Sequence, residues 1–265
     1  TARQAGGEVE VHFHLSADGT AGFDLGAYDR RQPLVIDPVV DFSTLIGSDG
    51  ISCATAVVTD AAGYVYVAGY SDTAGLVVQS PVKPVSSGVN AYLAKIQTST
   101  GKLIYATYLG GTGDDRAFAL AVDSAGTAYV GGWTTSTDFP VSSAAQNVIS
   151  GSRDAFLLHL SADGGVILFS TYFGGAGTES ANAITLAGPN VWIGGNTSSS
   201  TLPSAASAFS SAKGDQDGFV ACYSSAGALA VSAILGGSKD DSVRAIAADA
   251  SGNLLVGGGT LSADW

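Results

Sequence analysis

The 265-residue chain contains no methionine, only two cysteines, and 11 lysines and arginines against 23 aspartates and glutamates. A formal charge of −12 argues against a nucleic-acid binder, because phosphates are held by a basic footprint that so few cations cannot assemble. The same deficit disfavours an anionic membrane surface. Charged residues of both signs make up 13% of the chain, about half of the ~25% usual in soluble domains. Glycine, alanine, serine and threonine take their place, a balance that fits a β-rich extracellular protein. No apolar run approaches the roughly 18 residues that span a bilayer as a helix. With neither a methionine nor a signal peptide, the sequence reads as a mature or internal piece of a longer protein. Cys53 and Cys222 lie far apart in apolar strand contexts. Both are expected to be buried free thiols, since a disulfide needs Cα atoms within about 7 Å. No GxSxG, HExxH, paired CxxC or phosphate loop occurs, so an enzyme is not expected.

What the chain does have is a repeat. The stretch from Ile104 to Trp133, IYATYLGGTGDDRAFALAVDSAGTAYVGGW, recurs in four recognisable copies. The glycines that follow the aromatic or aliphatic strand, Gly47, Gly110, Gly174 and Gly236, are 63, 64 and 62 residues apart. A fixed period of that size marks an array of repeated units. Copy two carries four strand patterns, Leu103 to Tyr108, Ala117 to Val122, Thr127 to Trp133 and Ala155 to Leu160. Four strands per repeat is the content of a propeller blade. The link Asp123-Ser124-Ala125-Gly126 predicts a tight hairpin turn, with aspartate bonding the backbone two residues on and glycine taking positive φ. Positive φ is likewise expected at Gly110 and Gly174. Small residues such as Ala117, Ala119 and Ala121 suit a crowded inner strand. Long Ser, Thr and Pro-rich loops, Ser71 to Val89, Thr134 to Arg153 and Thr197 to Gln216, exceed the usual connection length.

Upstream, Gly7 to Gly26 predicts a hairpin, with Glu8, Glu10, His12 and His14 alternating with Val9, Val11, Phe13 and Leu15 around a Ser16-Ala17-Asp18-Gly19 turn. The letters HLSADG recur at His159 to Gly164, so this hairpin has the character of a displaced half-repeat. Tyr28 to Pro38 reads as a linker in which prolines limit pairing. The expected organisation is an N-terminal hairpin and linker over residues 1–38 and repeats over 39–265. The fold class is all-β: four-stranded antiparallel blades with a period of about 63 residues, about three and a half blades plus the hairpin.

Ala106-Thr107-Tyr108-Leu109-Gly110-Gly111 with Gly113-Asp114-Asp115, Thr137-Asp138-Phe139-Pro140, Asp154-Ala155-Phe156-Leu157 and the preceding Pro33-Leu34-Val35-Ile36-Asp37-Pro38 closely resemble the bacterial SBBP-type β-propeller repeat family. The resemblance covers about Tyr28 to Trp265. It implies a secreted or surface-attached bacterial protein with no established enzyme chemistry. Copy one departs from the pattern with Ile51-Ser52 in place of the acidic pair, copy three has Thr178-Glu179, and copy four reaches Asp264-Trp265 where Asp-Phe-Pro would fall.

Asp114, Asp115, Glu179, Asp240 and Asp241 follow glycine turns at equivalent places. Gathered on one face they are the candidates for Ca²⁺, which takes six to eight oxygens. A carboxylate after a Gly-Gly turn also serves by accepting backbone N–H groups, and the variation between copies suits that role better; no cofactor is therefore expected. Because strands alternate in direction, the glycine-acid turns and the long loops should emerge on one elaborated face and the Asp-x-x-Gly turns on a plain one. Binding of a protein or glycan is expected on the elaborated face, with Trp133, Asp138, Phe139 and Phe209 as candidates. The aromatics there would stack on sugars, although aromatics at strand ends also pack between blades. His12, His14 and Glu10 have a spacing open to a metal but fit a solvated strand face, and His159 reads as a buried, bonded histidine. Asn196-Thr197-Ser198 is a glycosylation sequon, of little weight in a bacterial-looking chain.

The fourth copy, Val243 to Gly258, supplies two strands and an open edge, which invites another strand. Val40, Phe42 and Thr44, on a segment matching the outer strand of other repeats, are candidate donors. They would complete the blade within one chain or pass to a neighbour, giving self-association as a ring or filament.

Overall fold

The computed structural model describes residues 2–15, 21–36, 47, 50–72, 88–204, 214–249 and 251–264, and every regular element among them is a strand. The chain divides into two compact units, Thr1–Ser43 and Thr44–Trp265. The strand-donor candidates Val40, Phe42 and Thr44, the Ser16–Gly19 turn and Phe209 lie outside the described residues.

The first unit contains β1 (Ala2–Gln4), β2 (Gly7–Val9), β3 (Val11–Leu15), β4 (Ala21–Leu25) and β5 (Val35–Ile36). The expected Gly7–Gly26 hairpin is shorter than the alternation predicts. Only Val11–Leu15 and Ala21–Leu25 pair with each other, while Gly7–Val9 folds back on Ala2–Gln4. Positive φ at Gly6 (131°) and Gly7 (142°) permits that reversal. Val35–Ile36, read as linker, instead pairs with β1; Pro33 stops short of the paired residues, so no ladder bond is lost. Gln4 ties the linker down further, donating from Nε2 to Asp29 O at 2.6 Å and accepting from Asp29 N at 2.8 Å.

The second unit is a succession of antiparallel sheets. The first comprises β6 (Ser52–Thr59), β7 (Tyr64–Ser71), β8 (Asn90–Gln97) and β9 (Lys102–Leu109). The second comprises β10 (Asp115–Val122), β11 (Ala128–Thr134), β12 (Asp154–Leu160) and β13 (Ile167–Phe173). The third comprises β14 (Glu179–Ala187), β15 (Asn190–Thr197), β16 (Asp217–Ser224) and β17 (Leu229–Leu235), and β18 (Asp241–Ala248) pairs with β19 (Leu254–Thr260). These are propeller-type blades. The sequence copy and the sheet are offset by one strand: Leu103 to Tyr108 belongs to the sheet before the one it was grouped with, and β13 closes the second sheet. The reason is local. Gly101 (φ 65°) makes a tight turn that returns the chain beside β8, whereas the Gly110-Gly111 link has no hairpin geometry and crosses to the next sheet.

Packing between sheets explains the strand composition. β12 is buried along its whole length, because both of its faces meet neighbouring sheets, and a strand buried on both faces reads as a continuous apolar run. The first strands pack on one another, β10 against β6 and β14, and β14 against β18, and the alanines allow that approach. Each first strand also slips register once, between Ala54 and Ala56, Ala117 and Ala119, Ala181 and Ala183, and Val243 and Ala245. A bulge of this kind bends the strand. At the second bulge a Cβ on Gly132 would overlap Arg116 O, which is why a glycine stands opposite.

The Asp-x-x-Gly turns form as their sequence predicts. Asp123 Oδ1 accepts from Ala125 N and Thr127 N, both at 2.9 Å, and Gly126 holds φ 77°. Asp60 and Asp249 repeat the arrangement, with Gly63 at 83° and Gly252 at 84°. The cysteines are free, with Cys222 buried but Cys53 only partly so, since Cys53 lies near the open end of a first strand.

Candidate functional site

The glycine-acid turns and the Thr/Ser loops after each second strand meet on one face and interlock there. Asp115 opens β10 and is 0% exposed. Its carboxylate accepts from Gly111 N at 2.8 Å, from Ser136 Oγ at 2.9 Å and from the Thr134 hydroxyl. Glu179 repeats this with Gly175 N (3.0 Å), Thr197 Oγ1 (2.6 Å) and Ser199 Oγ (2.7 Å). Asp241 does so with Gly237 N (2.6 Å) and Ser262 Oγ (2.8 Å). A second acid strengthens two of these clasps. Asp138 accepts from Thr112 N (2.8 Å) and Thr112 Oγ1 (3.0 Å), and Asp264 from Ser238 N (2.8 Å) and Ser238 Oγ (2.9 Å). Hydrogen bonds to a carboxylate contribute about 1.5–3 kcal/mol each, enough to hold a buried charge.

Gly110 and Gly174 do not hold positive φ, contrary to expectation; they are small for lack of room. A Cβ on Gly110 would strike the Asp115 carboxylate and come within 2.6 Å of Asn90 Oδ1. On Gly174 it would strike Glu179 Oε2 and reach 2.7 Å from Asp154 Oδ1, and on Gly236 it would strike Asp217 Oδ1 and lie 2.8 Å from Asp241 Oδ2. The blade-end glycine is thus clamped between two polar side chains, an amide and an acid at the first junction and two acids at the next two. Burial raises the pKa of Asp154, whose partners are Ser150 N (2.9 Å), Gly151 N (3.0 Å) and Gln146 Nε2 (2.9 Å). Burial also raises Glu179, and the Asp154 charge adds to it. At Asp241 burial pushes upward too, but hydrogen bonds from Thr260, Gly237 and Ser262 outweigh it and leave the pKa lowered.

Of the five calcium candidates, Asp115, Glu179 and Asp241 are directed inward into these clasps, one per junction. Asp114 faces the other way and holds Arg116 in a two-bond pair, 3.0 Å at each bond. Asp240 is exposed. Among the described residues no three His, Cys, Asp or Glu side chains gather to hold a metal. His12 is exposed and lies 2.9 Å from Glu10; the side chain of His14 lies outside the described residues. His159 is buried, stacked 3.9 Å from Tyr129 and 2.6 Å from Thr127 Oγ1, and burial lowers its pKa.

The binding-face aromatics part company. Phe139 is 3% exposed, packed on Phe156 (4.7 Å between ring centres) and Tyr172 (5.9 Å). It offers no face to a sugar, because the loop turns its ring into the core, where Tyr172 Oη accepts from Phe139 N (3.1 Å) and donates to Ser136 O (2.8 Å). Trp133 is half-buried at the junction between the second and third sheets, with Arg116 5.2 Å and Arg153 5.1 Å from its ring centre. Asp138 is exposed, yet its Oδ1 is taken by the Thr112 clasp.

Strand register gives Trp133 a counterpart in the next blade. Trp133 lies across from Arg116 and Ala155, and Asn196 across from Ser180 and Gly218. Arg153 and Gln216 correspond as well, since each accepts at its carbonyl from the first acid of the next sheet, Glu179 N at 2.9 Å and Asp241 N at 2.8 Å. Where indole and guanidinium fill the earlier junction, a cleft of about 340 Å³ opens at the later one, lined by Asn196, Gln216, Asp240, Ser242, Arg244 and Leu261 among others. The sequon asparagine is therefore a half-buried strand residue at a cleft. A repeat-by-repeat comparison of these two columns carried that signal; motif searching did not.

The plain face has a cleft of about 610 Å³ near Asp60, Asp123 and Lys95. Lys95 is 7% exposed, a cation in an otherwise apolar strand, and the sequence reading passed over it. Its Nζ donates to Ala162 O (3.2 Å) and lies 4.5 Å from the Tyr64 ring centre and 4.9 Å from that of Tyr66. Burial lowers its pKa. This grouping ties blades together.

Residues 104–140 match a family model, SBBP, described as a beta-propeller repeat. No curated protein matches the chain. The match falls on the second copy, with which the other copies align by sequence and by strand register; residues 104–140 are thus similar to the SBBP repeat, and the sheets around them are propeller-type blades.

Proposed function

We propose that this chain is a non-enzymatic extracellular module, secreted or displayed at a bacterial cell surface, that binds a protein or glycan through the face bearing the glycine-acid turns. The observation that carries this reading is the clasp geometry. The buried acids best placed to act as general acids or bases already accept three or more donors in two of the junctions, which leaves them bound to scaffold rather than turned to a substrate. The same interlocking gives a rigid face edged by exposed Thr135, Thr137, Ser198 and Ser200, and loops held on a rigid scaffold are where binding residues concentrate. Its acidity favours a cationic or neutral partner over an anionic one.

The test is an array of glycans and bacterial envelope proteins probed with the intact chain and with two charge variants. Thr137→Lys with Ser200→Lys alters the elaborated face, and Ser124→Lys alters the plain face. Binding lost in the first and kept in the second supports the reading. The reverse result, or turnover of glycoside, ester or peptide substrates by the purified chain, overturns it.

A further inference from the structure

The cleft between the third sheet and β18–β19 holds polar groups that have nothing to bond. Asn196 Oδ1 is buried without a hydrogen-bond partner, a state that leaves its desolvation uncompensated. Among the described residues the side chains of Gln216 and Arg244 make no hydrogen bond or ion pair either, and both line the same cleft. Arg244 stands where Phe118 stands two blades earlier, as the residue skipped at the bulge; there Phe118 packs against Tyr70, 6.3 Å between ring centres. At the first junction Tyr70 meets Phe118 and Arg116, and at the second Trp133 meets Arg116 and Arg153, whereas at the later one two amides and a guanidinium face the cleft.

We propose that this cleft binds one sugar residue of a neutral glycan, an assignment that rests on the binding-module reading and gives it a ligand class. Vicinal hydroxyls both donate and accept, and the cleft offers an acceptor at Asn196 Oδ1, mixed groups at the Gln216 amide and the Ser242 and Thr260 hydroxyls, a donor at Arg244 and a carboxylate at Asp240. Leu261, 69% exposed on the rim, supplies an apolar edge for the C–H face of a pyranose ring. A volume of about 340 Å³ lies at the small end of the roughly 300–1,000 Å³ of small-molecule sites, which suits a single residue better than a long chain. Asp240 and Asp241 in the wall repel phosphate and sulfate, and the Arg244 cation opposes a metal ion. A protein side chain would satisfy one or two of these groups, whereas a pyranose presents several hydroxyls at once.

Saturation-transfer NMR and calorimetry on the intact chain, with glucose, galactose, mannose, N-acetylglucosamine and their disaccharides as probes, test the assignment. Millimolar or tighter binding of one of these sugars is expected. Asn196→Trp with Gln216→Arg rebuilds the filling of the preceding junction and should weaken that binding about tenfold or more. Arg244→Gln, at an exposed position that leaves packing untouched, should weaken it in the same direction. Trp133→Asn should leave it unchanged. Sugar binding that survives both cleft changes, yet is lost on Thr137→Lys with Ser200→Lys, overturns the cleft assignment and keeps the binding-module reading. Binding of an envelope protein with no sugar binding does the same; no binding of either kind overturns both.

Discussion

The junction between the second and third sheets and the one between the third sheet and β18–β19 use one backbone plan to different ends. Both clamp a glycine between two acids, Gly174 between Asp154 and Glu179 and Gly236 between Asp217 and Asp241. Both close the turn with a glycine N–H and loop hydroxyls bonded to the inner acid. They diverge one residue away, where Trp133 and Arg153 give way to Asn196 and Gln216. The lesson is that clasp positions determine whether blades form and dock, while the neighbouring column is free to become packing or a ligand site.

Overfilling the shared part should have the largest effect, and the same effect at both junctions. Gly174→Val and Gly236→Val each place branched carbons on a buried carboxylate; overpacking costs about 1–3 kcal/mol, and an acid displaced from its donors adds about 1–3 kcal/mol more. Chemical denaturation should show a loss of about 3 kcal/mol or more in each. A loss below about 1 kcal/mol at either site would mean that the two junctions are not built alike. Emptying the divergent part should cost less. Trp133→Asn removes a half-buried ring, for which about 2 kcal/mol is expected, below the 3–5 of a fully buried aromatic, whereas Asn196→Ala should be neutral or slightly stabilising because it removes an unbonded oxygen.

The two junctions should also respond to pH with opposite sign. Asp154 and Glu179 have folded-state pKa values above the ordinary ones, so their contribution is complete below the ordinary carboxylate range and is lost as pH rises through the raised values. Asp241 is lowered; its contribution is present above the ordinary range and is lost as pH falls through the lowered value. Measured against wild type from acid to neutral pH, the relative stability of Glu179→Gln should improve as pH rises, and that of Asp241→Asn should worsen. Parallel slopes would remove the electrostatic half of the comparison.

Much of the scaffold was legible in the sequence. The period, the four-strand content, the Asp-x-x-Gly turns and the shared face of acids and loops all follow from local pattern, because each is set by residues close in the chain. What the sequence concealed depends on cross-strand neighbours. Gly110 and Gly174 look like turn glycines until Asn90, Asp115, Asp154 and Glu179 are seen to crowd them. Phe139 looks like a platform until Phe156 and Tyr172 cover it. Gly7–Val9 continues the alternation of the strand after it, yet pairs backward with Ala2–Gln4, since alternation records a buried face and not a partner. The cleft was readable only by setting Trp133 beside Asn196, a comparison of repeats rather than of motifs.

The smallest expected effect is that of chelation. Calcium takes six to eight oxygen ligands, and the inner acids have already committed theirs: Asp115 and Glu179 each accept from one backbone N–H and two hydroxyls. A cation entering either clasp would have to displace donors that cannot turn away, because Gly111 N and Gly175 N are fixed by the chain. At the later junction Asp240 is exposed beside Asp241 and the cleft is open, but Arg244 stands there as a competing cation. Thermal melts with and without EDTA should therefore coincide. A lower midpoint on chelation that disappears in Asp240→Asn would locate a calcium ion at that junction and separate the two junctions by metal as well as by packing; a drop that persists in Asp240→Asn and disappears in Asp115→Asn would instead show that the clasp itself opens to metal.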